Sequence, residues 1–143
     1  MSAPSRPKWI LALAIILSLF AIGTLVYWIT FYTVGLVAAS NAPGYLEHEN
    51  SFPAADGYIV ICIIVCVIGL LRRRSWGVLF GLMAGSAIIF LGLMDTLYPF
   101  QQGVFREFSF GAVETFLICA TCLALGPATI IYLWRNRAYF DKP

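Results

Sequence analysis

RRRSWGVLFGLMAGSAIIFLGLMDTLY, residues 72–98, decides how this chain folds. Three arginines lead into an apolar run with no charge before Asp95. The run is long enough for the ~20 helical residues that cross a ~30 Å hydrocarbon layer. Inside it Gly77, Gly81 and Gly85 recur at intervals of four, and Gly92 follows seven residues later. At ~100° per residue these glycines share an arc of about 80°, with Ala84 and Ile88 on or beside it. Leu79, Leu82, Met83, Ile89, Phe90, Leu93 and Leu97 take the far side, where lipid is expected. Small residues let helix backbones approach closely in a membrane. The pattern predicts a spanning helix packed tightly against others of its own chain, in preference to a second copy. Asp95 stands eighteen residues after Gly77, five whole turns, and so on the same face. An acid at membrane depth points to the bundle interior or a wet cavity. Asp95 is therefore expected to face inward, about one turn below the outer surface.

Working outward, three further apolar stretches flank 76–98, at about 9–37, 54–71 and 108–134. The chain is 61% hydrophobic and 11% charged, against roughly half and a quarter for ordinary soluble domains. A soluble fold of 143 residues cannot hide so much apolar surface from water. The sequence predicts an all-α integral membrane four-helix bundle, with residues 1–143 forming one transmembrane domain. The first and fourth stretches exceed the usual ~17–25 residues. Tilt, extension or a bend at Gly35 or Pro127 is expected there. The first stretch is far longer than the ~7–15 apolar residues of a signal peptide and lacks a clean cleavage site, so a retained helix is expected.

Charge gives the orientation. Eight of the nine Lys and Arg residues lie at Arg6 and Lys8, at Arg72, Arg73 and Arg74, or at Arg135, Arg137 and Lys142. In a four-span chain those places share one side, which the positive-inside rule makes cytoplasmic. Both termini are thus expected in the cytoplasm, with the chain a multi-pass protein of the cell membrane. Trp9, Trp28, Trp76 and Trp134 fall near the expected helix ends, where indoles favour the interface. Arg72 to Ser75 makes the second and third segments antiparallel neighbours, and the outer connections are longer, with turn residues such as Asn41 and Pro43.

Six of the seven acids, all but Asp141, belong to the outer half. Glu114 enters the fourth segment about two turns from its outer end, on a stripe with Gly111, Thr121, Cys122, Thr129 and Tyr132; Phe116, Ala120, Leu123 and Ile130 lie opposite. Asp95 and Glu114 are expected at similar depth, with Asp56, Tyr98 and Gln101 around the mouth of a pocket that opens to the outer side. These five residues are the candidate ligand site, for a small polar or cationic ligand. The plainer alternative is that these groups satisfy one another, with Asp56 capping its helix and Arg106 pairing with an acid. Glu47, His48 and Glu49 offer metal-ligand chemistry, but they adjoin one another and the chain has no second histidine, so a solvated loop is expected and no metal site.

Cys62 and Cys66 fall in the second segment, and Cys119 and Cys122 in the fourth with the spacing of dithiol oxidoreductases. A four-helix membrane bundle carrying such a pair resembles the vitamin K epoxide reductases and the disulfide-bond-forming quinone reductases, in architecture and two residues. The resemblance implies a thiol or quinone oxidoreductase whose outer-loop cysteines relay electrons. Both outer loops here lack cysteine, and a thiolate is disfavoured deep in hydrocarbon. Apolar packing is the expected role of all four. No phosphate loop, metalloprotease helix or nucleophile elbow is present, so no catalytic residue and no cofactor is assigned. A net charge of +2 without a basic patch speaks against nucleic acid. The expected partners are the bilayer and a small polar ligand. The main competing reading is a structural or accessory subunit bound to a partner membrane subunit; the oxidoreductase is third.

Overall fold

The computed structural model describes residues 8–35, 44–106 and 109–140. Arg6, Asn41, Pro43, Glu107, Asp141, Lys142 and the expected last turn of the first segment at 36–37 lie outside them. The described chain forms α1 (Lys8–Val34), α2 (Tyr45–Glu49), α3 (Pro53–Leu71), α4 (Ser75–Gln101) and α5 (Phe110–Asn136). Short 3-10 turns cover Val104–Arg106 and Arg137–Tyr139. Four of the helices are long and apolar enough to cross a membrane. At 27 residues each, α1, α4 and α5 are ~40 Å long, more than the ~30 Å of hydrocarbon.

Local chemistry sets the boundaries. Gly35 stops α1 by turning to φ +65°, a conformation open to glycine. It is a terminator and not the bend expected of it. Pro53 occupies the first position of α3, where a missing N–H costs nothing. Ser109 caps α5, its side-chain oxygen accepting from the Ala112 N–H at 3.1 Å. Pro127 lies inside α5, which continues through it to Asn136. α4 runs past the expected end at Tyr98, through Pro99 to Gln101. Between α3 and α4, Arg73 takes φ 54° while Arg74 N–H bonds the Gly69 carbonyl and Arg73 N–H bonds that of Leu70. That Schellman closure returns α4 antiparallel along α3.

α4 is the central helix, packed on α3 on one flank and α5 on the other, while α1 packs on α3. Its glycines make both contacts. A methyl group at Gly77 would sit 2.6 Å from the Gly69 carbonyl carbon of α3. One at Gly85 would sit 2.7 Å from Ile130 and 3.0 Å from the Gly126 carbonyl of α5. Packing on both flanks also corrects the lipid face expected of α4. Leu79, Phe90, Leu93 and Leu97 are exposed, but Ile89 meets Gly126, and Leu82 and Met83 pack against the core.

One end of the bundle is sealed by aromatics. Trp9 of α1 meets Tyr132 of α5 at 5.5 Å between ring centroids, Phe140 at 6.0 Å and Tyr139 at 6.2 Å. The Arg73 guanidinium lies 5.7 Å over the Tyr139 ring, so the α3–α4 turn is at this same end. The two described chain ends and the basic turn are thus gathered together. The acids Glu47, Glu49, Asp56, Asp95 and Glu114 belong to the other half.

Candidate functional site

Away from the aromatic seal, α1 and α5 bound a cavity of about 930 Å³ in the half of the bundle distal to the described termini. Its lining draws on all five helices. Asp56, Leu91, Asp95 and Pro99 of α3 and α4 form the back, with Phe20, Thr24, Tyr27 and Trp28 of α1 on one side. Gly111, Glu114, Ile118 and Cys122 of α5 line the other side, and His48 and Glu49 of α2 lie at the end. Exposure sorts the lining. Asp56, Leu91, Pro99 and Cys122 are buried, whereas Val26 of α1 and Leu117 of α5 are 52% and 58% exposed. The mouth therefore lies in the gap between α1 and α5.

Asp56 is the most enclosed of the described acids, at 7% exposure. It sits in the first turn of α3 but does not cap it; its own N–H bonds the Phe52 carbonyl. Its carboxyl reaches instead to α1, where Oδ2 accepts from the Trp28 indole N–H at 2.7 Å. Oδ1 is buried and has no hydrogen-bond partner among the described residues. A buried acceptor left unpaired costs ~1–3 kcal/mol.

Glu49, Asp56 and Asp95 lie near enough for their charges to act on one another. The Tyr27 hydroxyl donates to Glu49 Oε2 at 3.3 Å. The Tyr32 hydroxyl donates to Asn50 Oδ1 at 3.0 Å, just beyond α2. From the other side the His48 ring stacks on Tyr98 of α4, with centroids 3.8 Å apart and planes 14° apart. α2 is thereby fastened across the end of the cavity, and the solvated loop expected at 47–49 is a packed helical turn. Pro99 brings no N–H to the Asp95 carbonyl one turn before it. The back wall is therefore rich in acceptors. None of the described lining residues is Lys or Arg.

The five candidate residues divide. Asp56, Asp95, Tyr98 and Glu114 share the cavity, while Gln101 is exposed and outside its lining. Glu114 is exposed at the rim and not enclosed by apolar neighbours. Arg106 is exposed and does not line the cavity. Trp28, Tyr27, His48 and Glu49 join the site although the sequence reading left them out. The signal for Trp28 was its register with Asp56 on an adjoining helix at the same depth; for Glu49 it was the short reach from Asn50 into α3. Among the described residues no three His, Cys, Asp or Glu side chains converge as metal ligands.

All four cysteines are buried free thiols. Cys122 reaches the cavity floor and packs where a methyl group at Gly92 would be 2.8 Å away. The arrangement can accept hydrogen bonds and compensate positive charge. No known family, curated protein or solved structure matches this chain.

Proposed function

We propose that this chain is a multi-pass membrane protein, with both termini cytoplasmic, that binds a small polar or cationic ligand in an intramembrane pocket opening on the outer half. Support for the membrane setting comes from four apolar helices whose outward faces carry Leu, Ile and Phe. Support for the orientation is the basic charge at Lys8, Arg72, Arg73, Arg74, Arg135 and Arg137, all at one end. The observation that carries the binding reading is the one cavity lined by Glu49, Asp56, Asp95 and Glu114, with no Lys or Arg among its described residues. Ionisable groups at membrane depth mark ligand or ion paths by default.

Native mass spectrometry of protein released from gentle detergent tests it. A retained mass other than phospholipid or detergent is expected, and it should vanish in Asp95→Asn and Asp56→Asn. A ligand-free monomer would overturn the reading.

One observation favours a second reading, an accessory subunit of a membrane complex. Ala120, Ala124 and Ala128 are all exposed on α5, at intervals of four. A small-residue stripe facing outward accepts a partner helix at close range. Co-purification of a defined partner chain at fixed ratio would move the assignment there.

A further inference from the structure

The cavity wall is sorted by direction. Its back holds the carboxyls of Asp56 and Asp95, and its mouth is flanked by exposed Val26 and Leu117. A ligand that fits both is polar at one end and apolar at the other. We propose that the ligand is a single-chain amphiphile with a primary or secondary ammonium head and no phosphate. Its head is held at Asp56 and Asp95, and its chain leaves sideways between Val26 and Leu117 into the bilayer. This deepens the binding reading above and rests on it.

Three observations narrow the head group. Asp56 Oδ1 is an enclosed acceptor without a partner, while Oδ2 is occupied by Trp28. The missing group is a hydrogen-bond donor, which a quaternary ammonium lacks. Next, Glu49, Asp56 and Asp95 line the same cavity, and a cation among them compensates their charge. Third, no described lining residue is Lys or Arg. A phosphate beside these carboxyls would be an unpaired anion in a low-dielectric site, which is costly. Phospholipids are disfavoured on that ground, zwitterionic amines included. The volume of about 930 Å³ is at the upper end of the ~300–1,000 Å³ of ligand pockets, room for a head and the first part of a chain.

The test uses the full-length protein in phosphatidylcholine nanodiscs with dodecylamine carrying a diazirine in mid-chain, adducts being mapped by peptide mass spectrometry. Labelling is expected on the peptides containing Val26 and Leu117. Excess plain dodecylamine should suppress it at least about ten-fold. Dodecanol and dodecyltrimethylammonium should not. Asp56→Asn should abolish this competable labelling, and Glu114→Gln, altered only at the exposed rim, should weaken it several-fold even if Asp56→Asn fails to fold. Labelling that ignores competition, or spreads evenly to the peptides of Leu79 and Leu93, overturns the proposal. Butylamine separates the two levels of inference. Asp56-dependent thermal stabilisation by butylamine without labelling of the gap overturns the amphiphile and leaves the polar pocket standing. No response to either amine overturns the ammonium amphiphile, and a ligand-free native mass spectrum as well removes both.

Discussion

The two halves of this bundle differ in how closely their helices approach, and the glycines account for the difference. In the half bearing the described termini, Gly77 lies against Gly69, Leu133 fills the space beside Gly81, and Gly85 faces Gly126. The Trp9 cluster closes the ring of helices there. Gly92, against Cys122, is the last of these contacts along α4. Asp95 follows within one turn, and the cavity begins. Backbone-to-backbone contact leaves no room for a ligand or a charge; where it ends, side chains hold the helices apart and polar groups find space. Close packing and the acid-lined cavity are thus allotted to opposite ends of the same four helices.

The largest effect should come from forcing the packed half open. Gly77→Val places its Cβ 2.6 Å from a backbone carbon of Gly69, so whole helices must shift and no side-chain adjustment relieves the clash. Overpacking of this kind costs ~3 kcal/mol or more. Reversible unfolding by dodecyl sulfate in mild detergent measures it. A loss below ~1 kcal/mol would break the comparison, because it would mean that α3 and α4 separate freely.

Trp28→Phe should come next. It removes the only described donor to Asp56 and leaves both carboxyl oxygens buried and unpaired. The expected loss is ~2 kcal/mol, within the usual range for orphaning a buried polar group. The same unfolding measurement checks it. An unchanged midpoint would show that water already serves Asp56 and that the far half is open to solvent on its inner side.

Much of this contrast was written along single helices, where position follows from ~100° per residue. The glycine spacing of 77, 81 and 85 and the register of Asp95 with Gly77 needed nothing but counting. Contacts between helices are another matter, because the sequence does not say which helices are neighbours. Trp28 looked like an interface anchor, yet it reaches Asp56, 28 residues away, on α3. His48 belonged to a polar run, but its ring finds Tyr98 on α4. Gln101 lay close to Asp95 in sequence, but the continued helix turns it outward. The gap between α1 and α5 had no signature in either helix alone.

Asp56→Asn should separate binding from stability. The amide keeps an oxygen for the Trp28 N–H, so stability should change by less than ~1 kcal/mol. Binding of an ammonium ligand, measured by calorimetry in nanodiscs, should weaken by about ten-fold or more, since a charge-assisted hydrogen bond is roughly twice as strong as a neutral one. Equal affinity in the variant would leave Asp56 a structural acceptor for Trp28 and place the ligand's contacts at Asp95 and Glu114.

Ala124→Leu carries the smallest expected effect and decides what surrounds the bundle. Ala124 is exposed on α5, midway between Ala120 and Ala128 and away from α4. If this face meets lipid, a larger apolar side chain exchanges one hydrocarbon neighbour for another, because lipid tails are as apolar as Leu. The change should be within ~0.5 kcal/mol, with the detergent-corrected mass from light scattering unaltered. A drop in that mass would mean that the stripe holds a second helix at small-residue distance. Close packing would then not be confined to one half of the chain, and the exposed faces of α5 would count as interface and not as lipid boundary.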